Sequence, residues 1–203
     1  MHRHSESYAA LVLDGGYEEC GADGRFQCEA GMLIVHPSWH CHADKFSAQG
    51  AVVLNLPLES STEGLTCGQV ADVAAIEKLA RRSPEMAGRA ALEEVEAQPP
   101  LSPAPWLERL TRMLATDEDS SISEIARHCG VSPEHASRAC RRWFGLSPVV
   151  LRRETRLRTA MALLQEGATP SEASAMAGFS DQPHLTRLLK RATGQTPASF
   201  ARL

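Results

Sequence analysis

The period of the hydrophobic positions changes along the chain, and each change marks a change of element. Tyr8 to Leu13 is an apolar run halted at Asp14-Gly15-Gly16, and Tyr17 to Cys20 leads to a second turn signal at Gly21-Ala22-Asp23-Gly24. Arg25 to Glu29 alternates, Gly31 to Val35 is continuously apolar up to Pro37, and Ala51 to Leu56 is apolar again. Short runs punctuated by turn residues predict a sandwich or barrel of five or six strands, with 8–13 and 17–20 as two strands of a hairpin. From about Gln69 the spacing becomes helical through Val70, Val73, Ile76, Leu79 and Ala80, and Ser83-Pro84 opens a second helical segment carrying Met86, Ala90 and Val95.

Four prolines between Gln98 and Pro105 exclude helix and central strand there and predict a semi-rigid linker. Everything beyond reads as helix. Leu107, Leu110 and Leu114 share one face of a segment from Trp106 to Asp117, and a short helix opens near Ser121. Pro133 to Phe144 is closed by Gly145, and Ser147-Pro148 opens a long helix to Glu166-Gly167 with Leu157, Ala160, Met161 and Leu164 inward. The expected organisation is a β-rich domain at 1–60, a helical pair at 61–98 suited to dimerisation, a linker at 99–105 and a helical domain at 106–203.

Within the helical part, Ile122-Ser123-Glu124-Ile125-Ala126-Arg127-His128-Cys129-Gly130-Val131-Ser132 carries helix-turn-helix chemistry. Ala126 is small where helices cross, Gly130 allows a positive φ, Val131 plugs the interhelical angle and Ser132 can cap the next helix. The pattern returns about fifty residues later as Pro170-Ser171-Glu172-Ala173-Ser174-Ala175-Met176-Ala177-Gly178-Phe179-Ser180. With Asp181 to Arg191 and Gly194-Gln195-Thr196-Pro197-Ala198-Ser199-Phe200, the last hundred residues resemble the DNA-binding domain of AraC/XylS-type transcription regulators. That family carries two helix-turn-helix units joined by a long helix; Cys140 and Leu189 depart from it, standing where it often has phenylalanine.

The second helix of each unit is the one shaped for a major groove. In the first, Glu134, Ser137 and Arg138 face base edges, with Arg141 and Arg142 placed for phosphates. In the second, Gln182, His184 and Arg187 face the bases, with Lys190 and Arg191 on the phosphate side. Charge supports this division: the net −4 splits into −8 over residues 1–100 and +4 over 101–203.

The N-terminal half concentrates histidine in His2-x-His4 and in His36-x-x-x-His40-x-His42. Imidazoles converging in a barrel suit a divalent transition metal, and the stretch Glu29 to His42 resembles the cupin-like sensor domain that often precedes AraC-type DNA-binding domains. His2, His4, His40 and His42 are the candidate metal ligands, the alternative being histidines that hydrogen-bond within or around the barrel mouth, and Trp39 and Phe46 either line a small-molecule pocket or fill the core. The fold class expected is therefore α+β in two domains, a small cupin-like β-barrel followed by an all-α tandem helix-turn-helix domain.

The composition, 43% apolar and 23% charged, is that of an ordinary globular chain. It holds no apolar run of the roughly 18 to 20 residues a membrane span needs, and its first residues lack the apolar stretch of a signal peptide. Six cysteines without a C-x-x-C pair point to reduced thiols. A cytoplasmic regulator is expected, with no catalytic residues. Its expected partners are duplex DNA, a small-molecule or metal effector, a second copy of the chain, and RNA polymerase where it activates. The rival readings are a small metal-dependent cupin enzyme or metal-binding or small-molecule-binding protein, and an interaction protein using its helices for partner contacts.

Overall fold

The structure, a computed structural model, describes residues 1–59, 66–117 and 119–202 and falls into two units, Met1–Ser102 and Pro103–Leu203. The division lies inside the segment 99–105. The boundary expected between residues 60 and 61 lies outside the described residues, as do Glu118 and Leu203.

The first unit is an antiparallel sheet of seven strands: β1 (His2–Arg3), β2 (Tyr8–Gly21), β3 (Gly24–Glu29), β4 (Met32–His36), β5 (Cys41–Pro57), β6 (Thr66–Val70) and β7 (Val95–Gln98). Their order is β1-β5-β2-β4-β6-β7, with β3 also on β2, and the sheet curls into a half-barrel. Helices α1 (Val73–Ala80) and α2 (Pro84–Glu94) pack on one face over Ala9, Leu11, Leu33, Val35 and Leu56. The other face gathers Val12, Tyr17, Phe26, Cys28, Ile34 and Cys67.

Three expectations are corrected here. Residues 8–13 and 17–20 are one strand, because Asp14-Gly15-Gly16 runs on within β2 between two register shifts against β5, at Val12/Asp14 and at Gly15/Tyr17, and makes no turn. Gly15 has φ +70°, and a Cβ there would lie 2.2 Å from the Gly50 carbonyl oxygen, so only glycine admits this approach. Residues 61–98 are not purely a helical pair, since Thr66–Val70 and Val95–Gln98 are strands that pair with each other and complete the sheet. Val70 and Val95 therefore belong to strands, having fallen on helical spacing by chance. Phe46 is neither a core filler nor shielded from solvent: it projects from β5, 56% exposed and against Tyr17.

The second unit is all helical: α3 (Pro105–Thr116), α4 (Ile122–His128), α5 (Pro133–Phe144), α6 (Pro148–Gln165), α7 (Pro170–Met176), α8 (Gln182–Thr193) and α9 (Pro197–Phe200). Leu151, Leu157, Ala160, Met161 and Leu164 lie on the buried side of α6, against which α3, α5, α7, α8 and α9 pack, while α4 packs on α3 and α5. Among the described residues no helix is long and apolar enough to cross a membrane.

Candidate nucleic-acid interface and buried histidine cluster

The two helix-turn-helix units repeat at the level of individual backbone bonds. Ser121 and Glu124 form a capping box at the start of α4, and Thr169 and Glu172 form the same box at α7. Each first helix ends alike: the Gly130 N–H donates to Arg127 O and the Val131 N–H to Ala126 O, while Gly178 donates to Ala175 O and Phe179 to Ser174 O. Gly130 and Gly178 take φ of 76° and 71°, the left-handed turn between the helices.

The recognition helices open and close by one rule. Ser132 accepts from the His135 N–H at 3.2 Å, Asp181 accepts from the His184 N–H at 2.6 Å, and Gly145 and Gly194 close α5 and α8 in the left-handed region. The cap equivalent to Ser132 is thus Asp181 and not Ser180, one residue beyond the alignment drawn from the motif. On this register Arg138 corresponds to Arg187, Arg141 to Lys190, Arg142 to Arg191, and Cys140 to Leu189.

All of Glu134, Arg138, Arg141 and Arg142 on α5, and Gln182, His184, Arg187, Lys190 and Arg191 on α8, are exposed; Ser137 is half-buried. Cys140 and Leu189 lie fully buried beneath them. Arg141, Arg142, Lys190 and Arg191 fall in last turns, where cations also complement the helix dipole. The Ser137 hydroxyl accepts from Arg141 Nη1 at 2.5 Å, and the His184 ring stands edge-on to Phe179.

Two arginines that sequence reasoning missed tie the units to α6. Arg152 Nη2 donates to Ser120 O at 2.9 Å, beside the first capping box, and Arg156 Nη1 donates to Gly178 O at 2.5 Å, in the second turn. Their spacing of four places both on one face of α6.

In the first unit the four candidate metal ligands are split around His42. Glu19, His36, His40 and His42 are all buried and bring four ligand atoms within 4.8 Å of one another; His2 and His4 form a second, exposed group with His42. The rings of His36 and His42 lie 4.4 Å apart, and those of His2 and His42 4.2 Å. Register explains the meeting: His2 pairs with His42 across β1 and β5, while Glu19 of β2 stands opposite Asp44. The turn between β4 and β5 is fixed by Trp39, whose φ is +63°, whose N–H donates to His4 O and whose O accepts from Arg3 Nη1. Glu19 and His36 were absent from the expected ligand set. The even spacing of 36, 40 and 42 signals His36, whereas Glu19 joins only through strand register.

The inner group is electrostatically poor by itself. Burial, then the neighbouring carboxylates and the Cys67 thiol, push the Glu19 carboxyl up to about 9. Burial and the surrounding imidazoles push His36 down to about 2 and His42 to about 3. Both Glu19 oxygens and the Nδ1 atoms of His36, His40 and His42 are buried without a hydrogen-bond partner, while His40 Nε2 lies 2.6 Å from Asp23 Oδ2. An open cleft of about 440 Å³, lined by Arg3, His4, Tyr8 and Asn55 among others, adjoins the outer group.

Residues 125–203 match the family model described as a helix-turn-helix domain. The arabinose operon regulatory protein of Escherichia coli is 31% identical over 85 residues, covering 41% of this chain and 29% of its own length. The HTH-type transcriptional regulator GlxA of Rhizobium meliloti is 40% identical over 79 residues, 38% of this chain and 24% of its own. The chain thus spans less than a third of the curated relatives it matches. Across the whole chain, ToxT from Vibrio cholerae has the same fold at 8% identity and a TM-score of 0.50, covering 99% of this chain and 90% of that one.

Proposed function

We infer, from the helix-turn-helix match of residues 125–203 and their similarity to the arabinose operon regulatory protein and GlxA, that the chain is a sequence-specific regulator of transcription of AraC type that binds duplex DNA through α5 and α8. The observation that carries this reading is the repeat itself: two capped, glycine-closed helices present Arg138 and Arg187 at equivalent exposed positions. Arg can pair bidentately with guanine and Gln182 with adenine, while Arg141, Arg142, Lys190 and Arg191 suit phosphates. A sensor role for the first unit, a second copy of the chain as partner, and RNA polymerase as partner where transcription is activated extend this reading; the likeness to ToxT bears on the fold of the first unit alone. No substrate turnover belongs to this reading.

Selection of bound sequences from a random duplex pool by the full chain, followed by footprinting, tests it. A recovered consensus with salt-dependent affinity is expected, since phosphate contacts release counterions. Recovery of no consensus, or binding indifferent to salt, would reject it.

A further inference from the structure

We propose that the first unit binds one divalent transition-metal ion of the zinc class through Glu19, His36, His40 and His42, with the outer histidines His2 and His4 dispensable for holding it. The proposal stands apart from DNA binding and rests on four features of the cluster.

The donor set is chemically selective. Three imidazole nitrogens and one carboxylate oxygen suit zinc and its late first-row neighbours, whereas magnesium and calcium take oxygen ligands. Strand alternation turns Cys41, between His40 and His42, to the opposite face. The geometry is close to that of a filled site: a tetrahedral ion with bonds of about 2.0 to 2.1 Å needs ligand atoms about 3.4 Å apart. The four atoms already lie within 4.8 Å, so rotation of the side chains by an ångström or so closes the set.

The ligands also carry their support. Asp23 occupies Nε2 of His40 at 2.6 Å, which leaves the buried, unpartnered Nδ1 to meet the ion. A carboxylate behind a ligating histidine fixes its tautomer and raises its basicity. Finally, the cluster needs a cation. Glu19 faces Asp44 directly across the strands, and neither Glu19 oxygen accepts a hydrogen bond, although His36 Nε2 approaches Oε2 to 3.4 Å. Buried polar groups left this way are costly, and a divalent ion would offset part of that cost by binding the carboxylate and one nitrogen of each imidazole. Four protein ligands leave a tetrahedral ion no open position, which marks a site that holds its ion and not one that turns over a substrate.

His2 and His4 are the competing explanation, because the exposed group they form uses His42 as well. Burial decides between them: the inner donors exclude water on every side, while His2 and His4 are solvated and lose less by standing alone.

The test titrates chelator-treated full-length protein with zinc, and with cobalt(II) as a spectroscopic probe of coordination. One ion per chain is expected, with the absorption of tetrahedral cobalt and a rise in Tm. Glu19→Gln should weaken the ion at least tenfold while raising the Tm of the ion-free protein, since it removes a buried carboxyl that faces Asp44 and accepts no hydrogen bond, its contact with His36 Nε2 at 3.4 Å notwithstanding. That opposition of signs distinguishes a ligand from a structural residue. Asp23→Asn should weaken binding about 10- to 100-fold. The double substitution of His2 and His4 by alanine should keep one tightly bound ion. No stoichiometric binding, loss of the ion in the His2 and His4 variant, or undiminished affinity in Glu19→Gln would each overturn the proposal.

Discussion

Arg138 and Arg187 occupy the same turn of two equivalent helices, each exposed and one turn ahead of a pair of basic residues that suits phosphates. Replacing either with alanine is expected to cost about 1 to 3 kcal/mol on the selected site and to relax preference at one base position. Lys190→Ala should instead weaken every sequence about equally. Affinities for the selected duplex and for a scrambled one separate these outcomes; equal losses on both for the arginine variants would move them to the backbone. These arginines were legible in the sequence because the motif occurs twice and each copy vouches for the other. Ser137 was legible as a surface position, yet its hydroxyl is engaged by Arg141. Glu19 was not legible at all: its place beside the histidines depends on where β2 lies against β5, and no local pattern encodes that register.

At the scale of elements, the helices of the second unit were readable almost to the residue because their boundaries are local chemistry. Caps such as Ser132 and Ser147 and stops such as Gly145 act within a few positions of themselves. The sheet was less readable. The stretch from Lys45 to Gln49, exposed on both faces and without a run of apolar residues, hides the first half of β5, and β6 and β7 are too short to show a period. At β2 the glycines that signal a turn serve a bulge, so Gly15→Ala should destabilise the first unit by about 1 to 3 kcal/mol, measured by denaturant unfolding. The capping boxes give a pH dependence. Hydrogen bonds from the side chain and backbone of Ser121 hold Glu124 below the usual carboxylate range, and Thr169 does the same for Glu172. Because these values are depressed in the folded state, their contribution is complete above the unfolded value of about 4.3 and is lost as pH falls through the folded ones. Unfolding of the double Glu124→Gln, Glu172→Gln variant should therefore depend less on pH between about 5 and 3 than that of the unsubstituted chain; equal slopes would refute the assignment.

For the molecule as a whole, the second unit has its own core and its own excess of positive charge, so residues 103–203 alone are expected to fold and bind the selected DNA. If Arg141, Arg142, Lys190 and Arg191 each neutralise a phosphate, the logarithm of affinity should fall with the logarithm of salt at a slope of about −3.6 or steeper. Site size follows from α6. Its 18 residues span about 27 Å at 1.5 Å per residue, whereas successive major grooves on one face of straight B-DNA recur about every 34 Å. Offsets of α5 and α8 from the ends of α6, or a modest bend of the duplex, close the difference of about 7 Å. Arg152 and Arg156 make this spacing stiff by bonding α6 to Ser120 and to Gly178. One chain should accordingly read two half-sites about one helical turn apart. They should differ in sequence, because Glu134 and Pro133 stand where the second helix has Pro183 and Gln182. Arg156→Met, which keeps the apolar stem but loses the bond to the second turn, should reduce protection of the half-site read by α8 more than that read by α5. Equal loss at both half-sites, or a palindromic footprint insensitive to Arg187→Ala, would mean that only one recognition helix per chain engages the groove.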